Sequence, residues 1–321
     1  PGLAPSGAGP FINGVIASLM LSNAANVIKG SLTLLVMSAY TIVLCLLLLL
    51  FALGKFLSPT PGIRGFFSRI LYKVVELWSS LNNFVLSLHR ATKWDIQIPE
   101  ALSRQGSYLV SSNHQSWVDI LALQRAFNRK IPMLTFFIKQ QLIYVPFLGA
   151  AWWALDFPFM QRPSREQIEK NPSLKGNELD SARIACEKLQ HIPVAMMSFA
   201  EGTRFSQEKR QKTRSPYQNL LKPKVGVIGI VLYAMGDKLQ SMIDVTIVYP
   251  PKDGRGHAPT FWELVTGQVP GIIVRAREVA IPAQLLGRNF RDDRTIRKEL
   301  EAWINEVWLE KDTLLSELKA S

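Results

Sequence analysis

The sequence predicts an α/β fold: a mixed, largely parallel central sheet flanked by helices, with an N-terminal transmembrane or membrane-anchoring helical region. Three observations carry this expectation. From Trp94 onward, short apolar runs alternate with stretches of helical period. Two of those runs, Tyr108–Val110 and Ala195–Ala200, end in polar loops, and the carboxyl ends of strands are where open α/β sheets place their ligands. Ahead of them, Leu32–Leu53 holds no charged residue; at ~1.5 Å per residue it is long enough to cross a hydrocarbon core of ~30 Å.

In chain order, Pro1–Pro10 is rich in Pro, Gly and Ala and reads as an unstructured lead. Residues 11–93 form the anchor region. Phe11–Ile28 is uncharged but carries Asn13, Asn23 and Asn26, which fits an interfacial helix or a weak first span. Leu32–Leu53 is the expected span; Lys55, Arg64, Arg69 and Lys73 follow it, against Lys29 before it, which predicts a cytoplasmic C-terminal side. Phe67, Ile70, Val74, Leu77, Leu81, Phe84 and Leu88 then make a stripe for a helix over about 64–90, packed on the core or lying in the membrane interface.

Residues 94–321 form the α/β domain. Trp94–Ile98 alternates as a half-buried strand. Tyr108–Val110 is a buried strand, and Ile120–Phe127 a helix that Ser112 or Asn113 can cap. Strands are expected at Ile131–Lys139, Asp156–Arg162, Val194–Phe199, Ile243–Tyr249 and Gly271–Val279. Helices are expected at Leu142–Leu155, Glu178–Gln190, from Val225 (whose glycines permit close packing), Phe261–Val265 and Asp292–Lys319.

At 321 residues the chain holds one sizeable α/β domain plus an anchor. Its net charge of +12 suits an anionic partner. No compact nucleic-acid module accompanies that charge, so an anionic membrane or a phosphate-bearing lipid is the expected partner rather than nucleic acid. With two cysteines and four histidines, neither a disulfide framework nor a multi-histidine metal site is supported.

The chemistry concentrates in two loops. In Asn113-His114-Gln115-Ser116-Trp117-Val118-Asp119, the histidine and the aspartate are five apart. That spacing is about 140° on an ideal helix, so two in-helix positions would not face each other. With His114 in the loop and Asp119 in the helix, the carboxylate can reach back to one ring nitrogen and make the other a base. The pair alone also fits a histidine satisfied by a carbonyl, with Asp119 a helix N-terminal charge. The second loop, Glu201-Gly202-Thr203-Arg204, joins a carboxylate and a guanidinium to a glycine that admits close backbone approach.

Together, N-H-x-x-x-x-D and F-x-E-G-T-R, about 80 residues apart and each after a strand, resemble the glycerolipid acyltransferases typified by 1-acyl-glycerol-3-phosphate acyltransferase. The resemblance runs from roughly Trp94 to Tyr249 and includes Lys139, Leu142, Pro146, Gly149, Phe159 and Arg162. Ala200 stands where most members have proline, and Ile243–Tyr249 is the nearest run to the family's fourth, Val-Pro-type block. The resemblance implies that His114 and Asp119 are catalytic. Glu201, Gly202, Thr203 and Arg204, with Arg162 and Lys139, would bind the substrate. It implies an acyl thioester donor (acyl-CoA or acyl carrier protein), a lysophospholipid acceptor, no covalent serine or cysteine intermediate, and no cofactor or metal. The expected place is a bacterial inner membrane, catalytic side to the cytoplasm. The competing readings are a hydrolase using the same histidine and a non-catalytic membrane-binding module.

Overall fold

The computed structural model describes residues 8–145, 148–160, 169–171, 177–187, 189, 192–251 and 258–320, with helix backbone alone at 8–22, 148, 177–180 and 187. Two helices lead the chain, α1 (Ala8–Leu57) and α2 (Pro61–Ser87). The body then runs β1 (Lys93–Gln97), β2 (Tyr108–Ser112), α3 (Val118–Phe127), β3 (Leu134–Thr135), β4 (Ile138–Lys139), α4 (Leu148–Ala154), β5 (Phe159–Met160) and α5 (Asn177–Glu187). It continues through β6 (Ala195–Phe199), α6 (Gln207–Thr213), α7 (Val225–Met235), β7 (Ser241–Val248), α8 (Phe261–Thr266), β8 (Gly271–Val279) and α9 (Arg294–Ala320).

Six strands form one sheet in the order β1-β8-β7-β2-β6-β3, parallel at every pairing except β7 with β8. The fold is therefore the mixed, largely parallel α/β sheet the sequence predicts. β2 and β7 are buried along their whole length, as expected of strands covered on both faces. Alternate side chains feed two apolar layers. Leu109, Met196 and Met242 pack with Ile228, Leu232, Ile304 and Trp308 from α7 and α9. Val110, Ala195, Met197 and Ile243 pack with Val118, Ala122 and Phe127 from α3. Gly229 lets α7 close on its neighbours: an added Cβ there would lie 2.6 Å from Phe290.

The register decides where the site forms. Ser112 of β2 lies beside Phe199 of β6 and Val245 of β7, both in parallel pairings. The loops leaving β2 and β6 and the end of β7 thus emerge together on one edge.

α1 is one continuous helix, so Phe11–Ile28 is not a separate element, and Ala8–Pro10 belong to the helix rather than to an unstructured lead. Residues Asn23–Leu57 are long and apolar enough to cross a membrane by length and composition. Gly30, Thr33, Met37, Leu44, Leu48, Ala52 and Lys55 are buried on one side. Ile28, Leu32, Leu35, Ile42, Leu46, Leu50, Leu53 and Leu57 stand exposed on the other.

Both ends of this apolar stretch are tied to the body. A Cβ on Gly30 would lie 2.6 Å from Thr266 Cγ2 of α8, and Thr33 Oγ1 is 3.3 Å from His89 Nε2. At the other end, Lys55 Nζ donates to Ala154 O at 2.8 Å and pairs with Asp156 Oδ2 at 2.7 Å. Between them α2 packs along α1, with Tyr40 Oη donating to Asn82 Oδ1 at 2.6 Å.

Other expectations change in detail. In α2 the buried side chains are Leu71, Ser79, Asn82, Val85 and Leu86; Leu77, Phe84 and Leu88 of the expected stripe are exposed. The single strand expected at Ile131–Lys139 is two short strands, β3 and β4, in different sheets. The helix expected at Leu142–Leu155 is a 3-10 turn, Gln140–Tyr144, followed by α4. Neither Ser112 nor Asn113 caps α3; Ser116 Oγ accepts from the Val118 amide at 3.0 Å instead.

Candidate active site

Asn113 begins the site by prolonging the sheet with a side chain. Its Oδ1 accepts from the Ile247 amide at 2.8 Å and its Nδ2 donates to Ile247 O at 2.9 Å. Gln115 Nε2 donates to the same carbonyl at 2.8 Å. The intervening His114 is held by the turn after β6: its amide donates to Glu201 Oε1 at 2.8 Å, and its carbonyl accepts from the Phe205 amide at 2.7 Å. The two loops singled out by the sequence are therefore one structure.

The imidazole reaches Asp119, with Nδ1 to Oδ2 at 2.8 Å. Asp119 is fully buried, and the same oxygen accepts from the amides of Gln115 at 2.6 Å and Ser116 at 2.9 Å. Its Oδ1 accepts from the Tyr249 hydroxyl at 2.5 Å. Burial, and then the charge of Asp119, push the Tyr249 phenol well above its usual range, so it stays an O–H donor. Surrounded by donors, the carboxylate acts as acceptor to the ring as well. In the neutral ring Nδ1 then carries the proton and Nε2 the lone pair. Among the described residues Nε2 takes no hydrogen bond. The ring face stacks on Phe199 with centroids 4.0 Å apart and planes 17° apart, and the side chain is 15% exposed, open to a reactant.

Glu201 is 1% exposed, and its oxygens accept from the amides of His114 and Leu221, each at 2.8 Å. Burial lifts its carboxyl to about 7, against the downward pull of those two bonds and of Lys311. Gly202 adopts a left-handed φ of +70° beneath the Lys224 side chain, a conformation that favours glycine. Thr203 Oγ1 accepts from Lys209 Nζ at 2.9 Å, and the same ammonium bonds Arg204 O at 2.9 Å. The Arg204 guanidinium is exposed and sits 5.3 Å from the ring centre of Trp117, itself 61% exposed. Lys139 is exposed on β4, outside the main sheet, and forms no hydrogen bond or ion pair among the described residues. Arg162 lies outside the described residues.

An apolar cavity of about 280 Å³ opens between α2, α3 and α4, lined by Val75, Leu123, Phe127, Met133, Phe136 and Ala151 among others. Phe136 connects it to the site, stacking 6.4 Å from Phe199, the ring that supports His114. Sequence reasoning missed Tyr249, Asn113 and Gln115 as site residues. Only Asn113 carried a signal, through its place in the motif; Tyr249 is 130 residues from Asp119 and depends on the β2–β7 register.

Comparison with known proteins bears on the same residues. The family described as Acyltransferase matches residues 93–250. The 2-acyl-1-lysophosphatidylinositol acyltransferase of Saccharomyces cerevisiae is 24% identical over 245 residues, 63% of this chain; the match spans 59% of the yeast protein. The crystal structure of the 1-acyl-sn-glycerophosphate (LPA) acyltransferase PlsC from Thermotoga maritima superposes with a TM-score of 0.52 at 17% identity, covering 92% of this chain and 98% of that one. At that identity the likeness is one of fold.

Proposed function

We propose, from its match to the family described as Acyltransferase, that the chain is an acyltransferase of the type of 1-acylglycerol-3-phosphate acyltransferase and moves a fatty acyl group from a thioester to a lysophospholipid. The donor is acyl-CoA or acyl carrier protein. The acceptor is 1-acyl-glycerol-3-phosphate, and the product phosphatidic acid. The observation that carries the reading is the Nδ1–Asp119 contact, which leaves Nε2 free to act as a base.

Nε2 takes the proton of the acceptor hydroxyl, and Asp119 stabilises the imidazolium that forms. The hydroxyl oxygen attacks the thioester carbonyl; the C–O bond forms, the C–S bond breaks, and the thiolate leaves with the proton from Nε2. Arg204, free of any ion pair among the described residues and flanked by Trp117, meets the acceptor's phosphate. Thr203 and Gly202 shape the turn beside it, and the family resemblance assigns Arg162 and Lys139 to substrate binding as well. The role of Glu201 is indirect, because both its oxygens are taken: it braces the His114 loop. The cavity beneath Phe136 is suited to an acyl chain.

The membrane reading follows from α1. Both ends of its apolar stretch dock on the body, so it lies along the bilayer surface with its outer stripe in lipid rather than crossing it. Arg64, Arg69 and Lys73, exposed on α2, suit an anionic cytoplasmic leaflet, in bacteria the inner face of the cytoplasmic membrane.

The test is to supply a long-chain acyl thioester with and without a panel of lysophospholipids, lysophosphatidate and lysophosphatidylinositol included, and to read the lipids formed by mass spectrometry. Phosphatidic acid formed only with lysophosphatidate is the expected result. Free fatty acid released at the same rate without an acceptor identifies a hydrolase instead. Vesicle binding with no product in any arm leaves only a binding module.

A further inference from the structure

A second cavity, of about 820 Å³, opens between the segment leading into α7 and α9, with Lys222, Lys224, Gly226, Phe290 and Asn305 among its walls. The carboxylates that line it are engaged: Glu301 Oε1 lies 3.0 Å from Arg297 Nε, and Asp292 Oδ2 accepts from Asn289 Nδ2 at 2.7 Å. Lys222 and Lys224 are exposed, and their ammoniums form no hydrogen bond or ion pair among the described residues. A Cβ added to Gly226 would meet nothing within 4 Å, so that wall is open backbone.

Lys224 joins this cavity to the active site. Its amide donates to Ala200 O at 2.7 Å, and its side chain lies over Gly202, where an added Cβ would come within 3.1 Å of Nζ. Glu201, between those two residues, bonds the His114 amide. Further cations gather on the same turn: Lys209 Nζ on Thr203 Oγ1 and Arg204 O, and the Arg204 guanidinium over Trp117. The acid of the turn, Glu201, is buried with both oxygens on amides. Cations gathered on one turn repel each other, and a bound polyanion offsets that repulsion.

The cavity also lies where one half of a thioester must go. The ring of His114 stacks on Phe199, and Phe136 leads from there to the apolar cavity on the α3 side of the sheet. The cation-lined cavity is on the other side, with α7 and α9. A thioester has the same polarity about its carbonyl, an apolar chain in one direction and a phosphate-bearing carrier in the other. We propose that Lys222 and Lys224 bind the phosphates of that carrier, and that the carrier is a nucleotide, as in acyl-CoA. The proposal rests on acyl transfer from a thioester at His114. Coenzyme A brings several phosphates in a compact group, which a concave site with free ammoniums can enclose. A carrier protein presents a single phosphodiester on a broad face and needs a surface rather than a pocket.

The experiment titrates coenzyme A into the full chain in detergent micelles, without acceptor, and reads binding by calorimetry. The double variant Lys222→Ala/Lys224→Ala should weaken binding by roughly tenfold or more, the worth of hydrogen bonds to charged groups. In steady-state kinetics it should raise KM for acyl-CoA. KM for lysophosphatidate should change little, as should KM for the matching acyl-pantetheine, a thioester with no phosphate. If the double variant fails to fold, Lys222→Ala alone decides, and should weaken coenzyme A binding several-fold. A wild type that binds no coenzyme A, or a folded variant that binds it as tightly, overturns the proposal. So does a KM increase confined to lysophosphatidate, a loss seen only with acyl carrier protein as donor, or a loss only of binding to phosphatidylglycerol vesicles. A chain that binds coenzyme A but transfers no acyl group sinks the proposed function and leaves the subsite standing. One that acylates lysophosphatidate from acyl-pantetheine yet binds no coenzyme A does the reverse.

Discussion

An imidazole acts as a base through a ring nitrogen that lacks its proton, and the Asp119 contact at Nδ1 makes Nε2 that nitrogen in the neutral ring of His114. Asp119 is supplied with two amides and a phenol, so it has nothing to donate and can only accept from Nδ1. His114→Ala should lower kcat by on the order of 10²–10⁴, the usual worth of a positioned base; a folded variant with wild-type turnover would sink the mechanism. Arg204 makes a different prediction, because its guanidinium forms no ion pair among the described residues and lies over Trp117. Arg204→Ala should raise KM for a phosphate-bearing acceptor and leave an acceptor lacking that phosphate little affected; steady-state kinetics on both acceptors checks it. Glu201 adds a pH signature in stability. Its carboxyl rises from 4.5 to about 7 on folding, so between those values the native state holds a proton that the unfolded chain has released. Stability then falls as pH rises through the window. Tm of the wild type relative to Glu201→Gln should therefore shrink from about pH 5 to about pH 8, and a constant difference would mean that the carboxyl is not perturbed.

At the scale of elements, the strand–loop–helix unit from Tyr108 to Phe127 was legible because its signals are local: an apolar run, a polar loop and a helical period. α1 was half legible. Its composition gives a hydrophobic helix, but composition cannot say what each side meets. An apolar face against protein and an apolar face against lipid read identically, and only the contacts of Gly30 and Lys55 separate them. α2 misled for the opposite reason, since the polar Ser79 and Asn82 are buried, Asn82 against Tyr40 of α1, while Leu77 and Phe84 face out. Expecting an interfacial helix pair has a direct test. Single cysteines placed near Lys29 and near Lys55, in a background lacking Cys45 and Cys186, should both react with a membrane-impermeant maleimide from the same side of sealed vesicles. A helix that crosses puts them on opposite sides.

Across the whole molecule, the site exists because three parallel strands end together, a fact of register that no window of sequence contains. That is why the His114 and Glu201 loops were each readable as motifs, whereas Tyr249 and Trp308 were not: they meet the site through contacts spanning 130 and 87 residues, with Asp119 and with Leu221. The same architecture sets the apolar cavity beside the N-terminal helices, since α2 and α4, which line it, also pack on α1. The relation between cavity and site gives a prediction about selectivity. Phe136 leads from the cavity to Phe199 and so to the ring of His114; under the proposed reaction this path would set the thioester carbonyl at the imidazole and the chain end among Met133, Ala151 and Leu155. Ala151→Phe would fill part of a cavity of about 280 Å³ without touching a group that handles protons or phosphate. Long acyl thioesters should then lose kcat/KM while shorter ones keep it, because a chain that cannot seat its far end cannot bring its carbonyl to Nε2. Competition between thioesters of graded length, read by mass spectrometry of the lipid product, measures this directly. An unchanged length profile in the folded variant would mean that the acyl chain runs elsewhere.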